Sequence, residues 1–279
     1  MVTQVSLPPP VGGRDGVTRA YPPPAVAASL EAVRRCAQHL EALRIDGCTF
    51  AGGGWEALRE ALGEAPRLKA LDVDRCHAVG ACGALVDLLE SGSARSLTRL
   101  SLTRSDVSPE GVVAVGRAVG RRLAWEALDV SCNGVGPVAD LFKAVAGCAG
   151  LRELGVAENG VGELGFAALG ACLRAGGLPG IERLDLSNNW ATDAGVQALA
   201  EGLEGRGADL VGPRHLLLDA NSLGEDSAEA LKRIMRRPGL QTLSLGNNLL
   251  PRHTVIDLEG VAAEVSLARV DMSENPGWE

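Results

Sequence analysis

One pattern recurs nine times along this chain: apolar, two residues, apolar, one residue, apolar, two residues, Asn or Cys, one residue, apolar. The first four copies are Leu40-Leu43-Ile45-Cys48-Phe50, Leu68-Leu71-Val73-Cys76-Ala78, Leu97-Leu100-Leu102-Ser105-Val107 and Trp125-Leu128-Val130-Asn133-Val135. The next four are Leu151-Leu154-Val156-Asn159-Val161, Ile181-Leu184-Leu186-Asn189-Ala191, Pro213-Leu216-Leu218-Asn221-Leu223 and Leu240-Leu243-Leu245-Asn248-Leu250. A degenerate ninth runs Leu267-Val270-Met272-Asn275 and then Gly277. First positions are separated by 28, 29, 28, 26, 30, 32, 27 and 27 residues, which leaves room after each short strand for a loop and a helix of about three turns.

The intervening segments fit that expectation. Trp55 to Leu62 and Ala194 to Leu203 carry apolar residues at helical spacing, with Ala and Gly where neighbouring helices crowd. Ser108-Pro109-Glu110 supplies a cap, a proline for the first turn and an acid for the positive helix end.

Leu184-Asp185-Leu186-Ser187-Asn188-Asn189, followed by the run Asp193 to Ala200, resembles the strand and helix halves of the ribonuclease-inhibitor-like subfamily of leucine-rich repeats. The resemblance covers roughly residues 40 to 277. It implies an α/β solenoid, or horseshoe, with a parallel sheet on the concave face and helices on the convex face. Residues 1–24 then read as a proline-rich arm, 25–39 as a capping helix and 40–279 as the repeat domain. Pro8 to Pro10 and Pro22 to Pro24 favour extended polyproline conformation, suited to a linker or a docking strip. The 32-residue interval carries an insertion around Gly205 to Gly212, read as drift in loop length or as a contact point.

Buried amides at Asn133, Asn159, Asn189, Asn221, Asn248 and Asn275 are expected to satisfy backbone groups where each strand turns away, with Cys48 and Cys76 as small buried occupants of the same slot. Side chains between the apolar strand positions point to the other sheet face. One exposed column reads Arg44, Asp72, Ser101, Asp129, Gly155, Asp185, Leu217, Ser244 and Asp271; the next reads Asp46, Asp74, Thr103, Ser131, Ala157, Ser187, Asp219, Gly246 and Ser273. Seven acids against one base favour a partner with a basic surface, although Asp is common in the first column throughout the family. Arg99, Arg183 and Arg269 flank the stripe and partly neutralise it. The chain ends soon after the ninth strand, so Leu267, Val270, Met272 and Trp278 form a second candidate contact, where either Trp278 folds over the core or a partner covers it.

Composition bounds the rest. Net charge is -8, which disfavours direct nucleic-acid binding, and no apolar run reaches the roughly 18 residues of a membrane span, which predicts a soluble protein. Seven cysteines without a CxxC pair read as free thiols in a reducing compartment, with cytosol or cilium as the default residence. The first 24 residues are poor in acids, which leaves mitochondrial import as an alternative, although their prolines interrupt the amphipathic helix that a transit peptide would need. The basic cluster Lys232, Arg233, Arg236 and Arg237 reads as a solvated helix end rather than an anion site. His39, His77, His215 and His253 have no partner motif, and Gly52-Gly53-Gly54 lacks the Lys and Ser/Thr of a phosphate loop. No catalytic, metal, cofactor or small-molecule substrate site is therefore expected. The favoured function is a non-catalytic scaffold, a subunit of a larger eukaryotic assembly. The alternative is a small-GTPase regulator resembling the Ran GTPase-activating protein.

Overall fold

The computed structural model describes residues 4–7, 23–48, 50, 53–77, 80–136, 138–207, 210 and 212–276. The chain divides into two compact units, residues 1–133 and 134–279. Unit 1 contains β1 (Gln4–Leu7), α1 (Pro23–Cys36), β2 (Ala42–Asp46), α2 (Gly54–Gly63), β3 (Ala70–Asp74), α3 (Ala81–Glu90), β4 (Arg99–Ser101), α4 (Pro109–Gly120) and β5 (Ala127–Asp129). Unit 2 contains α5 (Ala139–Val145), β6 (Glu153–Gly155), α6 (Gly162–Arg174), β7 (Arg183–Asp185), α7 (Asp193–Glu204), β8 (His215–Leu217), α8 (Ala228–Met235), β9 (Thr242–Ser244), α9 (Arg252–Val265) and β10 (Arg269–Asp271).

Within each unit every strand pairs parallel with the next. The register aligns Leu43, Leu71, Leu100 and Leu128 in unit 1. In unit 2 it aligns Leu154, Leu184, Leu216, Leu243 and Val270. Equivalent repeat positions therefore stack, as the periodicity requires. Leu43, Leu71, Leu100 and Leu128 are at most 2% exposed, so the core lies on one side of the sheet and the intervening residues lie on the other.

Helix starts follow the sequence. Ser108 has extended backbone and its hydroxyl accepts the Gly111 N–H at 3.1 Å, with Pro109 at the first helical position. Thr192 caps α7 in the same way. Small residues permit close helix packing: a Cβ at Gly170 would lie 2.3 Å from the Ala198 carbonyl oxygen, and one at Gly202 would lie 2.3 Å from that of Gly170. Neither position tolerates a side chain without moving α6 from α7.

Two features were not read from the pattern. Gln4–Leu7, inside the segment read as an arm, forms β1 and pairs parallel with β2, from Gln4 opposite Ala42 to Leu7 opposite Ile45. Its alternation of polar and apolar residues is a strand signal that the neighbouring prolines obscured. Helix α1 starts at Pro23 and runs to Cys36, with a 3-10 turn over Ala37–His39, so Pro23 and Pro24 open a helix instead of extending a polyproline run. Residues 8–22 lie outside the described residues.

The second feature is a left-handed residue three places after the first open column, and directly after the second, in every repeat. Gly47, Arg75, Arg104, Cys132, Glu158, Asn188, Ala220, Asn247 and Glu274 all have φ between 50° and 62°. For the eight non-glycines this conformation costs roughly 1 kcal/mol each. It is offset by hydrogen bonding, because the turn keeps donating to the next repeat: Arg75 N–H to Thr103 O at 3.1 Å, Asn188 N–H to Asp219 O at 2.8 Å, Asn247 N–H to Ser273 O at 2.8 Å.

Candidate functional site

The ladder that holds the strand ends is continuous within each unit. In unit 1, Cys76 Sγ accepts the Cys48 N–H, Ser105 Oγ accepts the Cys76 N–H at 3.1 Å, and Asn133 Oδ1 accepts the Ser105 N–H at 2.9 Å. The hydrogen bond with Cys48, together with burial, pushes the Cys76 thiol up, so it stays protonated and serves as a packing group. In unit 2 the asparagines repeat one arrangement, each side-chain oxygen taking N–H groups of the preceding repeat and each amide donating to strand-end carbonyls. The slot is structural, as expected. Among all seven cysteines none forms a disulfide.

The open sheet face differs between the units. In unit 1, Asp72 lies beside Arg44 at 3.6 Å, and burial pushes its carboxyl up against the pull of that guanidinium. Asp74 is not the surface acid its column suggested: it is 3% exposed. Its Oδ1 accepts from Arg104 Nε at 2.9 Å and Thr103 Oγ1 at 3.0 Å, and its Oδ2 from Arg104 Nη2 at 2.9 Å. Burial pushes the Asp74 carboxyl up, but the bonds from Arg104 and Thr103 and the charges of Arg104 and Arg75 outweigh it and hold it below the usual carboxylate range. Arg75 in turn bonds both oxygens of Asp46. Both arginines occupy the left-handed column, and that position aims them at the acids of the preceding strand. The residue that follows the open columns carries no apolar signal, so its role is not visible in the repeat pattern. Arg99 lies 3.8 Å from Glu126.

In unit 2, Asp185 and Asp271 bind their own turns, whereas Asp219 reaches the next repeat. Asp185 Oδ1 accepts the Ser187 N–H at 3.1 Å, and Asp271 Oδ1 accepts both the N–H and the hydroxyl of Ser273. Those Ser273 bonds hold the Asp271 carboxyl below the usual range, with help from Arg269 at 3.0 Å. Asp219 accepts the Ser244 hydroxyl at 2.6 Å and the Gly246 N–H at 2.7 Å. In unit 1, Asp129 makes the same turn contact to Ser131 at 2.9 Å. The frequency of Asp in this column thus has a structural cause, an Asx-type bond at the strand end. Arg183 is exposed at the edge of the same face.

In the basic cluster at the end of α8, Lys232 pairs with Glu229 and Asp257, Arg233 with Glu204, and Arg236 with Glu264, while the buried Nε of Arg237 meets no acceptor among the described residues. At β10, Met272 is buried while Leu267 and Val270 are half-buried; Trp278 lies outside the described residues.

A surface hollow of about 280 Å³ lies at the loop edge of unit 2, lined by Gly134, Gly136, Glu158, Asn159, Gly160, Asn188 and Trp190. Trp190 is 70% exposed and its φ is 57°. It is not among the candidate contact residues that the repeat pattern picks out. Its signal was an aromatic in the one-residue gap between a ladder Asn and the apolar residue that follows. Among the described residues no group of three or more His, Cys, Asp and Glu could hold a metal ion, and no helix is long and apolar enough to cross a membrane.

In each unit, stacked strand–loop–helix repeats tied by a polar ladder form the α/β solenoid arrangement, with one sheet face left open by the helices. Comparison with known proteins agrees. The leucine-rich repeat family profile matches residues 93–116 and 181–200. A ribonuclease inhibitor from Sus scrofa is 29% identical over 185 residues, 64% of this chain and 38% of that protein. A brassinosteroid LRR receptor kinase from Oryza sativa subsp. japonica is 35% identical over 123 residues, 40% of this chain and 10% of that protein. The chain thus spans well under half the length of either relative. A crystal structure of a structural-genomics target from Bacteroides fragilis superposes with a TM-score of 0.55 at 12% identity, covering 90% of this chain and 70% of that one. These matches and the repeat geometry make the chain similar to leucine-rich repeat proteins of the ribonuclease-inhibitor-like kind.

Proposed function

We propose that this chain is a non-catalytic protein-binding scaffold that presents the open sheet face of unit 2 to a partner with a basic surface, as a subunit of a larger assembly in a reducing compartment. The observation that carries the reading is the distribution of charge. Unit 1 contains fifteen acids and fifteen bases, whereas unit 2 contains twenty acids against twelve bases. The acids of β2 and β3 are neutralised by Arg44, Arg75 and Arg104, while Asp185, bonded to its own turn, and Asp219, bonded to the next repeat, each use one oxygen and have no cation within ion-pair distance among the described residues. Fixed, partly solvated carboxylates on a rigid sheet raise the association rate of a cationic partner and set its register. The relatives support a binding role, since one is an inhibitor of ribonuclease and the other a receptor.

Affinity purification with the wild-type chain and with Asp185→Arg tests this reading. A protein partner captured by the wild type and lost with the variant is the expected result. A partner retained at full strength by Asp185→Arg removes the unit 2 face from the reading, and purified chain that accelerates a chemical reaction removes the scaffold role.

A further inference from the structure

The loop-edge hollow of unit 2 is built differently from the sheet face beside it. Its floor is three glycines, Gly134, Gly136 and Gly160, all with left-handed backbone at φ 62°, 72° and 71°. Trp190 stands as its wall: a Cβ added at Gly160 would meet the Trp190 ring at 3.1 Å, so the indole lies directly against bare backbone. A larger residue at 160 would displace the ring and fill the space it borders. Glu158 and Asn188, on the left-handed columns of adjacent repeats, line the same hollow and are exposed. Among the described residues the Glu158 carboxylate has no ion-pair or hydrogen-bond partner, in contrast to the acids of the sheet face.

An exposed indole costs free energy in water and an indole face attracts cations through its ring quadrupole. A guanidinium matches this combination better than an ammonium: it is planar, stacks on the ring and donates in-plane to a carboxylate, where an ammonium is a compact and strongly hydrated point charge. Uncharged ligands would leave Glu158 without a counter-charge, and anions would meet both Glu158 and the acid surplus of unit 2. We propose that the hollow takes an arginine side chain from an extended segment of a protein partner, its guanidinium stacked on Trp190 and bonded to the Glu158 carboxylate, with the Asn188 amide beside it. The glycine floor admits the backbone of that segment because no side chain stands in its way. This inference rests on the reading of the chain as a protein-binding module and assigns a specificity pocket outside the sheet face.

The probe is a capped five-residue peptide with one arginine flanked by serine and glycine, compared with peptides carrying citrulline, lysine or norleucine at that position. Binding to the full chain is followed by proton–nitrogen NMR at the Gly134 and Gly160 amides and at the indole N–H absent from Trp190→Phe. The arginine peptide is expected to shift these signals saturably at millimolar concentration, with citrulline and norleucine at least tenfold weaker and lysine about threefold weaker. Trp190→Ala and Glu158→Gln should each weaken the arginine peptide at least fivefold while leaving the thermal midpoint in place, since both side chains are exposed. Equal binding of citrulline, tighter binding of lysine, or shifts unaffected by both variants overturns the pocket. A natural partner that is lost with Asp185→Arg but retained by Trp190→Ala and Glu158→Gln overturns it as well and leaves the scaffold reading standing.

Discussion

Asn189 Oδ1 accepts the backbone N–H of Asn159 at 3.0 Å and also that of Val161 at 3.3 Å. One buried amide oxygen therefore closes the turn of the preceding repeat, while its Nδ2 donates to the carbonyls of Val156 and Ser187. The same relation recurs from Asn221 to Asn189 and from Asn248 to Asn221. Stability of unit 2 is transmitted from repeat to repeat through side chains as well as through strands.

Asn189→Leu should accordingly cost about 2 to 4 kcal/mol, because two buried N–H groups lose their acceptor while the Val156 carbonyl keeps the Asn159 amide at 3.0 Å. Urea unfolding should show a lower midpoint at unchanged slope. Cys76→Ser keeps an acceptor and a donor in the slot and should cost less than about 1 kcal/mol. If the two variants are equally stable, the ladder is not carrying the turns.

The ladder, register and open columns were legible because their signal is periodic: a three-residue strand is invisible alone, but nine aligned copies fix it. What escaped was information that lies across repeats. Arg75 and Arg104 sit in a position without an apolar rule, and their targets, Asp46 and Asp74, are 29 and 30 residues earlier in the chain. Only the left-handed turn brings them together. Trp190 escaped for a related reason, since its neighbour Gly160 is one repeat away.

Asp74 gives a pH prediction. Its folded carboxyl is held below the usual range by Arg104, Thr103 and Arg75 despite burial, so its contribution is present above the unfolded value near 3.9 and is lost as pH falls through the folded value. Asp74→Asn should destabilise unit 1 by about 2 kcal/mol at pH 7. The difference from wild type should shrink below about pH 4. Thermal midpoints measured from pH 2 to 8 check this, and a pH-independent difference contradicts it.

Cys82 is half-buried, and burial pushes its thiol up to about 11. Its alkylation should be slow at pH 8 and accelerate about tenfold per pH unit as the thiolate fraction rises. Iodoacetamide labelling followed by peptide mass spectrometry reads the rate at this site. Fast labelling at pH 8 would mean that Cys82 does not sit in its apolar setting against α4, where a Cβ at Gly111 would lie 2.7 Å from the Cys82 sulfur.

Two arginines, Arg122 half-buried and Arg206 buried, make opposite predictions from the same position. Arg122 and Arg206 each stand two residues past the end of their helices, α4 and α7, and each inserts towards the preceding repeat. Arg122 reaches the carbonyls of Leu89, Ala94 and Arg95 and lies over the Trp125 ring at 5.4 Å. Among the described residues Arg206, 4% exposed, donates only to Leu178 O at 2.9 Å, a carbonyl that also accepts the Ile181 N–H, and its Nε and Nη1 meet no acceptor. Burial lowers the pKa of both guanidiniums, and the charge of Arg237 adds to the effect at Arg206. Arg122→Met should therefore cost about 2 to 3 kcal/mol through stranded carbonyls and the lost contact with Trp125. Arg206→Met should be neutral or stabilising within about 1 kcal/mol, because a thioether of similar length removes unpaired donors and keeps the packing. Denaturant midpoints of the two variants decide it, and a larger loss at 206 than at 122 would show that Arg206 has acceptors in solution.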